Sequence, residues 1–252
     1  MKESNRIGEM NYNTWGTAMV IVEYYNRNNI IIEFQDNYKY RTKTNYSIFH
    51  MGNVSNPYDK TVFGIGYKGI GKYNKSYDKK LYNTWYNMIL RCYQQKELSK
   101  YKTYKGCSVD ERFWCLQDFG KWYEENYYEV PNEIMSLDKD ILIKGNKIYS
   151  PDSCIFTPQT INSLIVKKYN NGNDTLPLGV CYHKNHCKYM ASCSTIDKKI
   201  VCLGYYNTPE EAFNVYKQFK EKYIKTVADK YKQFIPEKLY NALYAYTVEI
   251  DD

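Results

Sequence analysis

The period at which apolar residues recur changes along the chain, and this constrains the fold more than any other feature. In Ala18 to Tyr25 and Ile30 to Phe34 apolar and polar residues alternate, the pattern of strands with two different faces, and Asn26, Arg27, Asn28 and Asn29 form the turn between them. From Lys79 the period lengthens: Leu81, Trp85, Met88, Ile89 and Cys92 recur at helical spacing, with Arg91 near the helix end. Phe113, Leu116, Phe119, Trp122 and Tyr123 mark a second helix over Glu111 to Asn126, and Lys105-Gly106-Cys107-Ser108-Val109 between the two predicts a turn and short strand. Most of these aromatics are read as core. Strands and helices in separate stretches give the α+β class.

With 252 residues the chain has room for two compact domains or three small ones. A hydrophobic fraction of 43% and the absence of a long low-complexity tract exclude a disordered chain. Lys and Arg number 35 against 28 acids, a net charge of +7 that suits a polyanionic partner. Tyrosine, at 30 residues, adds rings that stack on bases or fill cores and hydroxyls that reach phosphate or water. The eight cysteines form no CxxC pair and follow no signal peptide, so reduced thiols in a cytoplasm are expected. No apolar run approaches the roughly 18 residues of a membrane span.

Gly8, Gly16 and Gly52 punctuate further short strands around Tyr38 to Thr44. Five or so strands in about 55 residues predict a small β barrel or curled sheet over residues 1–56 that resembles an SH3-type fold. Gly64, Gly66, Gly69 and Gly71 then favour loop over element interiors, and residues 57–77 are read as a linker. A phosphate-cradling loop is the sharper alternative there, but no strand feeds it and no GKS or GKT ends it.

Residues 134–165 read as strand, turn, strand, helix. Ile134 to Leu137 is extended, Lys144-Gly145-Asn146 turns the chain, Cys154-Ile155-Phe156 is the second strand, and Pro158 opens a helix through Asn162 and Leu164. Trp85, Met88, Arg91-Cys92-Tyr93, Tyr104-Lys105-Gly106-Cys107, Phe113, Phe119, Trp122, Leu137-Asp138-Lys139-Asp140, Gly145-Asn146 and Tyr149-Ser150-Pro151-Asp152-Ser153-Cys154 stand in the order seen in phage and mobile-element proteins of the HNH homing-endonuclease type. The chain resembles that family over residues 81–165, and the resemblance implies a ββα-metal module with flanking helices over 78–170. It places Asp138 as the carboxylate ligand of a divalent metal such as Mg²⁺, Asn162 as the helix ligand, Asn146 as an orienting loop residue, and Lys139 where the family carries a general-base His. An ammonium does not accept a proton near neutral pH unless its surroundings lower its pKa by several units, and His50, His183 and His186 fall outside the segment. A Lys beside Asp138 still suits a DNA phosphate, and the plain alternative is a surface ion pair between Asp138 and Lys139.

Gly179-Val180-Cys181-Tyr182-His183, Lys188-Tyr189-Met190-Ala191, Val201 to Tyr206 and Thr208-Pro209-Glu210-Glu211-Ala212 carry a second resemblance, to the Apetala or ethylene-response-factor DNA-binding domain, over residues 177–235. The residues independently predict three short strands and a long helix. Thr208 is its N-cap, Pro209 its first residue and Glu211 the partner in a capping box. Ala212, Val215, Tyr216, Phe219, Tyr223 and Val227 form the stripe that docks on the sheet. The resemblance sends the outer sheet face into the major groove, but the positions matching its Arg and Trp readers fall near Cys181, His183, Ser192, Ser194, Ile200 and Cys202. His183, Lys184, Lys188, Lys198 and Lys199 remain as nucleic-acid contacts, with the lysines on phosphates. Cys181, His183, His186 and Cys187 lack the usual zinc spacing. Residues 236–252 predict a short helix, with Leu239 and Leu243, and an acidic tail of Glu249, Asp251 and Asp252.

Together these features imply a phage or mobile-element protein, derived from an HNH homing endonuclease, that binds double-stranded DNA in the cytoplasm of an infected bacterial host cell and has weak or no nuclease activity. The alternatives are an active metal-dependent DNA endonuclease, and a phage inhibitor that occupies the nucleic-acid groove of a host defence protein. No membrane partner is expected.

Overall fold

In the computed structural model, which describes residues 6–94, 104–165 and 176–250, the N-terminal alternation becomes an antiparallel meander of four strands. These are β1 (Met10–Tyr12), β2 (Ala18–Asn26), β3 (Asn29–Phe34) and β4 (Arg41–Thr44), hydrogen-bonded in sequence order. The sheet is open, with β1 and β4 as its edges, so the expected barrel does not form among the described residues. The reason lies in the next segment. Asn45 caps a helix, α1 (Tyr46–His50), by accepting the Ile48 N–H, and among the described residues no fifth strand joins this sheet. Phe49 of α1 is buried with Met19, Ile21, Ile30, Ile32, Phe34 and Val54, and these residues form the core over the sheet. They belong to the first of two compact units, Met1–Tyr101 with Ser108–Tyr123.

The glycine-bearing segment 57–77 contains no helix or named strand, yet Asp59, Val62 and Tyr73 within it are buried. A Cβ on Gly66 would lie 2.6 Å from Ile89 Cδ1 and 2.9 Å from Trp85 Cζ2, and one on Gly71 would collide with Gln117 Oε1. Buried Gln117 holds the segment in place. It donates to the carbonyl oxygens of Lys68 and Tyr73, both at 2.9 Å, and accepts the Tyr73 N–H at 3.1 Å.

Asp78 caps α2 (Lys79–Tyr93) by accepting the N–H groups of Lys80 and Leu81, and the predicted stripe Leu81, Trp85, Met88, Ile89 and Cys92 is buried. Trp85 Nε1 donates to the Phe113 carbonyl at 2.9 Å. A two-residue strand, β5 (Ser108–Val109), precedes the second helical stretch. That stretch is broken into a 3₁₀ turn, Glu111–Phe113, and α3 (Leu116–Asn126). The break follows from hydrogen bonding at Tyr67, whose N–H donates to the Trp114 carbonyl and whose carbonyl accepts the Leu116 N–H. Those two groups are diverted from a continuous helical ladder.

The second unit comprises Lys102–Cys107 and Glu124–Asp252. Its first part contains β6 (Met135–Asp138), β7 (Ile148–Tyr149), β8 (Ile155–Pro158) and α4 (Gln159–Leu164), with Pro158 at the N-cap of α4. β6 and β8 pair antiparallel, from Met135 opposite Pro158 to Asp138 opposite Ile155, and α4 packs on both. Strand, turn, strand and helix therefore follow in the predicted order.

Next come β9 (Val180–His183), β10 (Lys188–Ser194) and β11 (Ile200–Tyr206), in an antiparallel sheet with β10 central, and then α5 (Pro209–Tyr231). The Thr208 side chain accepts the Glu211 N–H at 3.2 Å, while Glu211 Oε2 accepts the N–H of Asn207 at 3.1 Å, so the capping pair closes one residue earlier than expected. Ala212, Tyr216 and Val227 of the predicted stripe are buried, as are Phe213, Ile224 and Ala228. Helix α6 (Glu237–Tyr244) buries Leu239 and Leu243 in a core shared with Ile155, Ile161, Leu164, Ile224 and Val227. The C-terminal segment thus covers an apolar edge of its own unit, while Asp251 and Asp252 of the acidic tail lie outside the described residues. No helix among the described residues is long and apolar enough to cross a membrane.

Candidate nucleic-acid interface

Asp138 ends β6, and its Oδ1 accepts the N–H groups of Asp140 and Ile141, both at 2.8 Å, which turns the chain out of the strand. Burial, reinforced by the charge of Asp140, raises the Asp138 carboxyl to about 6 despite those amides and Lys139. Lys139 does not form the expected surface pair with Asp138. It is only 9% exposed, and its Nζ lies 3.4 Å from Asp140 Oδ2 and 5.7 Å from the centre of the Tyr149 ring. Asn146 Nδ2 donates to the carbonyls of Lys139 and Ile148 at 2.7 Å each, and Oδ1 accepts the Ile148 N–H at 3.2 Å. Asn146 is therefore a brace across the loop.

Asn162 is half-buried in α4, which starts at the end of the β6–β8 ladder opposite Asp138. No hydrogen bond joins the two among the described residues. This donor set fits a divalent ion poorly. One Asp138 oxygen is committed to two amides, Asp140 stands against the Lys139 ammonium, and that buried ammonium would repel a metal dication. Among the described residues no three His, Cys, Asp or Glu side chains come together to hold a metal ion, the set Cys181, His183, His186 and Cys187 included.

The β9–β10–β11 sheet has two distinct faces. Val180, Ala191 and Cys193 point to the core and pack with Ala212, Phe213 and Tyr216. Cys181, Met190 and Tyr205 stand abreast on the other face, with His183 opposite Lys188, Ser192 opposite Cys202 and Ser194 opposite Ile200. The positions matched from the sequence to the groove-facing readers therefore do share the outward face. Apart from His183 their side chains are short or apolar, and Ile200 is 74% exposed. His183, His186 and Tyr205 form a ring cluster, with His186 and Tyr205 centroids 4.3 Å apart and the two imidazoles 4.7 Å apart. His183 Nδ1 is buried there without a hydrogen-bond partner among the described residues.

Exposed lysines rim this face. Lys184 lies in the 3₁₀ turn after β9, Lys188 begins β10, and Lys198 and Lys199 lie in the β10–β11 turn, where Lys198 takes φ 59°. Sequence reasoning missed Lys220. With Ser163, Ser194, Thr195 and Lys198 it lines a cavity of about 400 Å³ between α4 and that turn. Burial holds the Lys220 ammonium below its ordinary pKa. The signal for Lys220 was present in the sequence, because at spacing four it continues the Ala212 and Tyr216 row toward Ile224 on the inward stripe of α5. Among the described residues no salt bridge joins Lys184, Lys188, Lys198, Lys199 or Lys220 to a carboxylate. All eight cysteines are free thiols, and Cys181, Cys187 and Cys202 are exposed. No protein-family model, curated protein or solved structure matches this chain.

Proposed function

We propose that this chain binds duplex DNA through its sugar-phosphate backbone, using the outward face and rim of the β9–β10–β11 sheet. The observation that carries the reading is the set Lys184, Lys188, Lys198 and Lys199. These are exposed cations around one face, none of them in a salt bridge among the described residues. The face itself offers Cys181, Ser192, Ser194, Ile200 and Cys202 where base-reading Arg or Trp would be needed, which favours positioning on phosphates over reading of sequence. The resemblances to HNH homing endonucleases of phages and mobile elements and to Apetala-type domains support the same reading. The Lys139 and Asp140 arrangement supports a nuclease-derived scaffold that holds DNA with little or no cleavage. Fluorescence anisotropy on unrelated duplexes over a salt series is the test. Log affinity should fall with log salt at a slope near 0.9 per neutralised phosphate, with little dependence on sequence. No detectable binding at low salt would sink the reading.

A further inference from the structure

A cavity in the first unit carries an inference that does not depend on the DNA-binding reading. Trp15, Thr17, Asp36, Asn37, Tyr38, Tyr58, Asp59 and Lys60 surround a cavity of about 320 Å³. Its aromatic wall is open to solvent: Trp15 is 58% and Tyr38 52% exposed, and Tyr38 stacks on Tyr58 with ring centroids 3.8 Å apart.

The cavity also holds two carboxylates that form no salt bridge among the described residues, although Lys60 shares its lining. Asp59 is only 7% exposed and accepts hydrogen bonds from Asn13 Nδ2 and Thr17 Oγ1, both neutral donors. Asp36 accepts the N–H groups of Tyr38 and Lys39 and the carboxamide of Asn56, again neutral. The lysines nearby are engaged elsewhere. Lys60 Nζ lies 4.5 Å from the centre of the Trp114 ring, and Lys39 Nζ donates to Gln35 Oε1 at 3.0 Å. No salt bridge reaches Asp36 or Asp59 among the described residues. The arrangement leaves negative charge beside exposed π faces and thereby attracts a cation, because ring quadrupole and carboxylate both favour positive charge. A phosphate would meet two carboxylates instead.

We propose that this cavity receives a cationic nitrogen side chain, an arginine or lysine presented by a polypeptide partner, with its cation over Trp15 and Tyr38 and its N–H groups turned to Asp36 and Asp59. The geometry is prepared in advance. Asn13 accepts the N–H groups of Trp15 and Thr17 while donating to Asp59, so a single buried side chain fixes the Trp15 loop against the carboxylate.

The test is calorimetric titration of the full chain with L-argininamide, with its uncharged isostere L-citrullinamide, with a Gly/Ser peptide carrying one arginine, and with spermidine. Argininamide should bind at least about tenfold more tightly than citrullinamide, and Trp15→Ala and Asp36→Asn should each weaken it by about tenfold. Circular dichroism melts would confirm that both variants are folded, Trp15 being a largely exposed residue whose loss leaves the core intact. Equal binding of citrullinamide, or binding that survives both substitutions, would overturn the site. Spermidine binding more tightly than the arginine peptide would overturn the polypeptide as the source of the cation.

Discussion

The side-chain amide of Asn146 reaches back seven residues to the carbonyl oxygen of Lys139, at 2.7 Å, and with its bonds to Ile148 closes the loop that follows β6. Asn146→Ala removes two donors and one acceptor. At roughly 0.5–1.5 kcal/mol net per hydrogen bond, a loss of about 1.5–4.5 kcal/mol is expected for the three. Urea denaturation measures it, and an unchanged midpoint would show that the loop holds its shape without the brace.

The raised Asp138 carboxyl gives a pH signature. Its folded value of about 6 exceeds its ordinary value near 3.8, so the folded state binds more protons than the unfolded one between those values. This group's contribution to stability is therefore present at pH 4 and is lost as pH rises through about 6. Asp138→Asn keeps an oxygen for the two amides and removes the titration, so relative to the unmodified chain it should gain stability between pH 4 and pH 7, on the order of 2 kcal/mol. Equal differences at the two pH values would show that Asp138 titrates alike in both states.

Much of the fold was legible because local chemistry and long-range packing agree. Thr208 caps α5 and the α2 stripe is buried as the sequence predicts, and strand parity identified the outward face from Cys181 to Cys202. What could not be read depends on distant partners. Nothing near Lys139 in sequence announces that it will be buried against Asp140, and nothing near Trp114 announces that Tyr67 will claim the backbone groups on either side of Cys115. The barrel failed for a local reason, the Asn45 cap that starts α1 directly after β4.

Lys188→Ala and Lys199→Ala should each weaken DNA binding by a similar factor on unrelated duplexes and lower the salt slope by about one, because a phosphate contact carries no base information. Lys220→Met, on the inward side of the sheet, is the control in the same assay and should leave the slope unchanged. A loss confined to one sequence would instead make the sheet a base reader.

Incubation with supercoiled DNA and Mg²⁺ or Mn²⁺ should give no nicking above background. General-base assistance contributes roughly 100- to 10,000-fold, and a protonated Lys139 has no lone pair to provide it. Lys139→His is the informative variant: with Asp138 Oδ1 held by two amides and Asn162 beyond the far end of the β6–β8 ladder, gel analysis should show nicking still at background, and a metal-dependent rise would overturn the poor fit of this donor set for a divalent ion. Because Lys139 is 9% exposed, the replacement should also cost more stability than a surface change, beyond about 0.5 kcal/mol. Robust cutting by the unmodified chain would overturn this account of Lys139.

The segment 57–77 has the composition of a tether, but Gly66 and Gly71 leave no space for a methyl group and Gln117 holds the backbone at Lys68 and Tyr73. Its length is therefore set by the surfaces it threads between. A protease probing for an accessible hinge should pass over it, and lengthening it by a few glycines, harmless in a true spacer, should unfold the body that contains it.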